Sequence, residues 1–306
     1  MTTLVFGHKS PDTDSTGSPL IWAWYLSEIK GTPAKAVLLG TPNTEAGFML
    51  NHWGVAQPEI IADVTAADTV VIVDTNNPAE LPPSINDANI TGIIDHHMLV
   101  GGIKTKSPID ITIRPLACTA TIMHDLMGDA VAQAPKAIKG MMLTCILSDT
   151  LEFRSPTTTP HDRAVAEKLA ADLGVSIPAF AAEMFAAKSD VSSFSDAELL
   201  RMDSKEYNVA GKELRVSVLE TTSPKTVLDR KASLMASMVG VAQEDGADQV
   251  LLFVVDILNE EATLLVPNDL VKQMAEASFG CTVTGDTVVL PGIMSRKKQI
   301  IPALKL

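Results

Sequence analysis

The sequence is poor in aromatic residues and cysteines and has no long apolar run. Aromatic residues make up 4% of the 306 positions, and the three cysteines, Cys118, Cys145 and Cys281, form no CxxC pair. This spacing argues against a disulfide framework or a thiolate zinc site, so we expect reduced, mostly buried thiols. No apolar run approaches the roughly 18–20 residues of a membrane span, and the N-terminus lacks signal-peptide features. We therefore expect a cytoplasmic protein with no membrane partner.

Basic residues are also in deficit. The chain has 24 Lys and Arg against 37 Asp and Glu, a formal net charge of -13 at pH 7. Nucleic-acid-binding surfaces need many cations to displace the counterions of the phosphates. The composition therefore excludes a broad nucleic-acid interface, and any basic cluster has to be local.

The first half of the chain has the pattern of an α/β domain. Short runs rich in Val, Ile and Leu occur at residues 4–6, 36–39, 69–73 and 90–94. Such runs are typical of strands buried on both faces of a parallel sheet. Helical patterns over residues 135–153, 159–174 and 177–188 each open near a proline. We predict a first domain over residues 1–188, a mostly parallel sheet flanked by helices.

A Ser/Asp-rich segment, residues 189–196, is the best linker candidate. Beyond it, strand patterns occur at residues 212–221, 249–258 and 261–267, with a long helical stretch over about 224–245. We predict a smaller C-terminal α/β domain over residues 197–306. Two domains leave room for an active site in the cleft between them.

Side chains that bind metals follow three of the four predicted strands. They are His8, Asp12 and Asp14 after the first strand, Asp74 after the third, and Asp95, His96 and His97 after the fourth. Taken singly, Asp12 or Asp74 has an ordinary explanation as a helix cap or a turn residue. Functional groups of open parallel sheets gather beyond the carboxyl ends of the strands. Metal-binding side chains after three strand ends therefore indicate one shared metal site.

The ligand types favour a pair of hard divalent cations. Carboxylates and imidazoles without thiolates suit Mn²⁺, Co²⁺, Fe²⁺ or Mg²⁺. Two such ions about 3.5–4 Å apart serve phosphoryl displacement, and Asp74, alone between two clusters, is our candidate for the bridging ligand. Asp149, at the end of an apolar helical run, is a further candidate or else a solvent-facing residue. His52, His124 and His161 are interpreted as surface or satisfied, partly buried residues.

One basic cluster, SRKKQ at residues 295–299, stands out in this acidic chain. A short charge run is often only a solvated face. Here it lies between apolar segments, which indicates a structured loop. Arg296 offers a bidentate grip and Lys297 a point charge, a combination that suits phosphate.

Five segments together resemble a known family. They are GHKSPDTDS, VIVDTNNP, IIDHHM, LSDT and SRKKQIIP. In order and spacing they resemble the manganese-dependent family II inorganic pyrophosphatases of the DHH phosphoesterase superfamily, over nearly the whole chain. The resemblance implies hydrolysis of inorganic diphosphate to two orthophosphates by a metal-bridged hydroxide.

The resemblance also implies roles for individual residues. It assigns one metal to His8, Asp12 and Asp74, and the other to Asp14, Asp74, His96 and Asp149. It assigns contacts with substrate phosphates to His97, Lys205, Arg296 and Lys297. It further implies two Mn²⁺ per subunit with Co²⁺ as a substitute, Mg²⁺ bound with the substrate, and a homodimer joined through the first domain. Asp95 is expected to orient the neighbouring histidines, and Lys205 by pattern alone is an ordinary surface lysine.

Two other functions remain open at this point. The same metal site would serve a phosphodiesterase or exopolyphosphatase with a longer substrate, although the acidic charge balance and the compact basic loop disfavour it. A catalytically silent metal-dependent binding protein is the alternative of another class. Loss of a ligand would support it, but every motif position is filled.

Overall fold

The computed structural model, which describes residues 2–305, divides the chain into two units, Met1–Ala187 and Lys188–Leu306. We call them unit 1 and unit 2. The domain limits 1–188 and 197–306 and the linker 189–196 stay predictions. The last residue of the predicted linker, Asp196, is the first residue of a helix that Ser195 caps.

Unit 1 contains a six-stranded sheet in which every neighbouring pair is parallel, which confirms the predicted mostly parallel sheet. The order is β3-β2-β1-β4-β5-β6. The strands are β1 Thr3–Phe6, β2 Ala34–Leu38, β3 Glu59–Ile60, β4 Thr69–Val73, β5 Asn89–Asp95 and β6 Asp110–Ile113. The order reverses between β1 and β4, and this is where ligand crevices form in open α/β sheets.

Six α-helices accompany this sheet within residues 2–305. They are α1 Thr13–Trp24, α2 Thr44–His52, α3 Thr119–Met127, α4 Lys136–Asp149, α5 Pro160–Leu173 and α6 Ile177–Lys188. Local sequence explains their ends: Thr159 and Asp162 form a capping box before α5, and Gly174 closes it in the left-handed region.

The helical pattern predicted over residues 135–153 is too long. Helix α4 ends at Asp149, and Leu151, Glu152 and Phe153 have φ values of 48°, 52° and 69°. Such values strain residues that carry a side chain, and strained backbone is concentrated near functional sites.

No single helix in residues 2–305 is both long and apolar enough to cross a membrane. Helices α5 and α6 reach that length and composition only as a pair, and the chain bends by 101° between them.

Unit 2 contains a mixed five-stranded sheet in the order β11-β10-β9-β8-β7, with β8 and β9 parallel and the other pairs antiparallel. Its strands are β7 Ser204–Val209, β8 Lys212–Thr221, β9 Gln249–Asp256, β10 Glu261–Leu265 and β11 Thr287–Pro291. Its helices are α7 Asp196–Met202, α8 Pro224–Leu228, α9 Lys231–Glu244, α10 Asp269–Phe279 and α11 Ile301–Ala303. The predicted single helix over 224–245 is therefore two helices.

Strand β9 organises the core of unit 2. All eight of its residues are buried. Alternate side chains enter two apolar clusters, because successive residues of a strand point to opposite faces of the sheet. Leu251, Phe253 and Val255 belong to one cluster, and Val250, Leu252 and Val254 to the other.

Candidate metal centre and phosphate-binding residues

The three strand ends predicted to carry ligands meet at one edge of the unit 1 sheet, because β1, β4 and β5 are neighbours. Within residues 2–305, three groups of possible metal ligands have all their ligand atoms within 4.8 Å of one another. They are His8, Asp12 and Asp74; Asp14, His96 and Asp149; and Asp74, His96 and His97. All six side chains predicted to bind metal occur in these groups.

The loop from His8 to Asp14 is held in shape by its own hydrogen bonds. Asp12 caps helix α1 by accepting from the Ser15 amide at 2.9 Å, and the His8 amide donates to Ser15 Oγ at 2.8 Å. A Cβ atom on Gly7 would lie 2.0 Å from that hydroxyl oxygen. The loop therefore requires glycine at position 7 to bring His8 and Asp12 to the strand end.

Asp74 lies at the centre of the cluster with its two oxygens facing different groups. Its Oδ2 is 3.6 Å from His8 Nε2, and its Oδ1 is 3.4 Å from His96 Nε2. The residue is 1% exposed and has a φ of 57°. A carboxylate that bridges two ions needs this division of its oxygens.

His96 presents its Nε2 atom to the carboxylates. Its Nδ1 atom lies 3.2 Å from the Leu116 carbonyl oxygen. Because a carbonyl only accepts, Nδ1 carries the proton in this hydrogen bond and the Nε2 lone pair is left for a metal. Nε2 lies 3.9 Å from Asp149 Oδ2.

The charges in this cluster fit bound cations. Burial raises the pKa of both Asp74 and Asp149 well above the usual range, and repulsion from Asp14 and Asp12 adds to the rise. Asp149 Oδ2 is buried and has no hydrogen-bond partner in residues 2–305. An orphaned carboxylate oxygen among repelling carboxylates is the environment that a divalent cation stabilises. The residues present therefore fit a manganese-type site.

Asp95 orients His97, as the sequence predicted for the neighbouring histidines. Its Oδ1 accepts from the His96 and His97 amides at 2.8 and 3.1 Å and lies 2.9 Å from His97 Nδ1. That last hydrogen bond raises the pKa of His97. Burial opposes ionisation of Asp95, but hydrogen bonds from His97 and Asn76 hold its pKa below the usual value. His97 Nδ1 is thus engaged, and Nε2 of a half-exposed ring stays available.

The cysteines near this centre are poor candidates for metal ligands. Cys118 and Cys145 are buried, and burial, followed by repulsion from Asp14 and Asp149, raises the pKa of both thiols well above its ordinary value. Neutral thiols are weak ligands. His124 is partly buried, as interpreted; its Nδ1 lies 3.8 Å from Asp125 Oδ1, and neither ring nitrogen makes a hydrogen bond within residues 2–305.

The three predicted cationic residues come together in unit 2. Lys205, Arg296 and Lys297 line a cavity of about 490 Å³. The Arg296 guanidinium donates to the Asp203 carbonyl oxygen at 2.6 Å and to Asp203 Oδ1 at 2.7 Å. These bonds use one N–H of each terminal nitrogen of the guanidinium, and its remaining N–H donors are left for a ligand.

The basic loop is braced by a glutamine. Residues Arg296–Ile300 form a π-helical turn. Gln299 Oε1 accepts from the Met294 and Ser295 amides at 2.9 Å each, and its Nε2 donates to the Gly292 carbonyl at 2.6 Å. Rare π-helical turns are often found at functional sites, and here the turn carries two of the predicted phosphate ligands.

Two residues near the metal centre escaped sequence reasoning. Thr119 donates hydrogen bonds to both Asp14 and Asp74, and buried Glu45 accepts from the Thr13 and Ser148 hydroxyls. Neither follows a strand, so strand-end reasoning had no signal for them. A Glu directly after a helix start marks Glu45 only as an ordinary first-turn residue.

Comparisons with known proteins identify two domain families in this chain. Residues 2–149 match the DHH family, N-terminal domain, and residues 182–306 match the DHHA2 domain. Proteins named "probable manganese-dependent inorganic pyrophosphatase" from Deinococcus radiodurans, Lactobacillus gasseri and Shouchella clausii are 38%, 32% and 35% identical to this chain. Each alignment covers 98–99% of this chain and 96–97% of the relative.

Solved structures show the same fold. A Methanococcus jannaschii protein described as a "putative family II inorganic pyrophosphatase" matches with a TM-score of 0.62 and 32% identity, over 99% of this chain and 98% of that one. An exopolyphosphatase-related protein from Bacteroides fragilis matches with a TM-score of 0.53 at 13% identity, which shows the fold alone.

The two domain matches, with the cluster of carboxylates and imidazoles at the strand ends, define a DHH protein with a C-terminal DHHA2 domain. From the identity and coverage of its relatives, the chain belongs to the family of manganese-dependent inorganic pyrophosphatases. This family is the one that the sequence motifs resemble.

Proposed function

We propose that this protein hydrolyses inorganic diphosphate to two orthophosphates with manganese bound at the unit 1 cluster. The observation that carries the proposal is the division of the Asp74 oxygens, Oδ2 towards His8 and Oδ1 towards His96. A phosphoryl displacement that uses two ions needs such a shared carboxylate. The names of the full-length relatives support the same substrate.

The proposed ligand sets share Asp74. One metal would be held by His8, Asp12 and Asp74, and the other by Asp14, Asp74, His96 and Asp149. The protein would then bind two Mn²⁺ per subunit, Co²⁺ would substitute because it accepts the same oxygen and nitrogen donors, and Mg²⁺ would bind together with diphosphate. When bound, such ions supply a nucleophile by lowering the pKa of water from 15.7 to about 7.

His97 is proposed to contact the phosphates and to move a proton. Because Asp95 holds Nδ1 and raises the pKa of His97, the ring keeps its proton at higher pH than an ordinary histidine. The free Nε2–H would then donate to a phosphate oxygen and protonate the leaving phosphate.

Lys205, Arg296 and Lys297 are proposed to bind the diphosphate oxygens. The cavity lining has these three cations and two carboxylates, Asp203 and Glu220, and is therefore net positive in a chain of net charge -13. Charge-assisted hydrogen bonds from them would offset the repulsion between diphosphate and an anionic nucleophile.

A cytoplasmic homodimer is the proposed assembly, joined through unit 1. Strand β6 is the last strand of its sheet, pairing with β5 on one side within residues 2–305. Its Ile111 is 55% exposed. An unpaired apolar edge invites pairing with another strand, and two-fold pairing of identical edges closes the assembly.

Substitutions at two lysines that are adjacent in sequence test whether the basic loop binds diphosphate. Lys297→Ala should leave Mn²⁺ binding intact and lower both turnover and diphosphate affinity, because Lys297 lines the cavity. Lys298→Ala is the matched control, since it removes the same charge from a residue that is not part of the cavity lining. Equal kinetics for the two variants would contradict the proposal that the basic loop binds diphosphate.

Asp74→Asn tests the bridging role. The variant should bind Mn²⁺ more weakly at both sites in a calorimetric titration, because one side chain serves both ligand sets. Loss of one site with the other intact would overturn the assignment of Asp74 as the bridge.

A further inference from the structure

Thr119, the first residue of helix α3, contacts two of the proposed ligands. Its amide donates to Asp14 Oδ2 at 2.7 Å, and its hydroxyl donates to Asp74 Oδ1 at 3.2 Å. The residue is fully buried. One side chain and its own backbone therefore contact both the bridging carboxylate and a carboxylate proposed for the second metal alone.

We infer that Thr119 is a positioning residue that orients Asp74 and Asp14 for the metal held with His96 and Asp149. The inference rests on the proposed function, because it concerns the same metal centre. It adds a residue that none of the proposed ligand or substrate contacts includes.

The hydroxyl distinguishes the two oxygens of Asp74. It bonds Oδ1, the oxygen that faces His96, whereas Oδ2 faces His8. Within residues 2–305 this is the one hydrogen bond that the Asp74 carboxylate accepts. It therefore fixes the rotation of the carboxylate about its last side-chain bond, and the outer partners of metal ligands act in this way.

The backbone contact uses a donor that the helix leaves free. The first amides of a helix have no partner inside it, and the preceding residue, Cys118, makes no side-chain cap. Asp14 accepts from the Thr119 amide instead. The partial positive charge of the helix start also favours an anion there.

The segment that carries Thr119 is itself anchored. The Ala117 amide donates to both oxygens of Asp162, at 3.3 and 3.2 Å. The Leu116 carbonyl in the same segment accepts from His96 Nδ1. Residues 116–119 thus contact three proposed ligands of the second metal from one fixed piece of backbone.

The test compares Thr119→Ala with Thr119→Ser, which differ by the hydroxyl. The matched control is Thr121→Ala, because Thr121 is equally buried in the same helix and its hydroxyl has no hydrogen-bond partner in residues 2–305. Chelator-stripped proteins are titrated with Mn²⁺ in a calorimeter. Thr119→Ala should lose about 10–100-fold in affinity at one of the two sites. Thr119→Ser and Thr121→Ala should bind Mn²⁺ as the wild type does.

The outcomes separate this inference from the proposed function. If the wild type binds no Mn²⁺, both fail. If the wild type binds two Mn²⁺ and Thr119→Ala binds them equally well, only the inference is overturned. Equal losses in Thr119→Ala and Thr119→Ser would also overturn it, because the hydroxyl would then not be the cause. Thr119→Val, which keeps the shape of threonine, replaces the alanine variant if that protein does not fold.

Discussion

Replacing Asp149 with asparagine should stabilise the metal-free protein, although it removes a proposed ligand. Ligand oxygens of Asp14 and Asp149 lie within 4.8 Å of each other. Asp14 is 1% exposed and the Asp149 side chain is 19% exposed, but the Asp149 Oδ2 atom is buried and has no hydrogen-bond partner in residues 2–305. Without a cation this repulsion opposes folding, and a neutral amide of the same shape relieves it.

The size of the effect follows from Coulomb's law. Two unit charges 4.8 Å apart repel by about 3.5 kcal/mol at an effective dielectric constant of about 20. The wild type avoids part of this cost by taking up a proton, so we expect a gain of about 2 kcal/mol in the free energy of unfolding. For a domain of this size, that gain raises Tm by roughly 4–8 °C.

The assay is thermal unfolding with chelator and with excess Mn²⁺, over a range of pH. Because folding raises the pKa of Asp149, the destabilisation is fully present above the folded-state pKa and disappears as the pH falls towards the unfolded value. The advantage of the variant should therefore be largest at neutral and alkaline pH and vanish in acid. With Mn²⁺ the order should reverse, because the wild type gains more from binding.

Asp162→Asn is the matched control. Asp162 is fully buried and accepts hydrogen bonds from the Ala117 and Thr159 amides, whereas Asp149 Oδ2 is buried without a hydrogen-bond partner in residues 2–305. Its replacement should lower the Tm of the metal-free protein. A similar loss in Asp149→Asn would refute the idea that repulsion between carboxylates dominates the empty centre.

Three further predictions follow from single features. Mn²⁺ binding to the stripped protein should release protons from the buried carboxylates, and equal binding enthalpies in buffers of different ionisation enthalpy would contradict this. Glu45→Ala should lower the free energy of unfolding, measured by chemical denaturation, by about 2–4 kcal/mol, because the Thr13 and Ser148 hydroxyls lose their acceptor. A decrease below about 0.5 kcal/mol would refute this prediction. Gly140→Ala should lower the free energy of unfolding by about 1–3 kcal/mol, because the added carbon would lie 2.2 Å from the Trp53 ring. An unchanged Tm would contradict this and would show that the ring moves aside freely.

Much of unit 1 follows from the sequence because its buried strands are continuous apolar runs. The run over residues 69–73 coincides with β4, and the ligand motifs stand directly after β1, β4 and β5. Parallel strands end at a common edge, so motifs far apart in the chain meet there. The clustering of the predicted ligand types around Asp74 is a consequence of this topology.

Features set by tertiary contacts were not predictable in the same way. Strand β3 has two residues, and β6 is partly exposed, so neither has the apolar run of a buried strand. The end of α4 at Asp149 depends on left-handed residues that hydrophobic periodicity does not report. The contacts of Thr119 join residues 45 and 105 positions apart.

The most direct test of the central claim is phosphate release from diphosphate by chelator-stripped protein reloaded with Mn²⁺ or Mg²⁺. Short RNA and polyphosphate are assayed beside it as competing substrates. The proposed function predicts fast, Mn²⁺-stimulated release from diphosphate and little action on the longer substrates. Cleavage of RNA or polyphosphate with little release from diphosphate would contradict it, and would show that Arg296 and Lys297 do not select diphosphate.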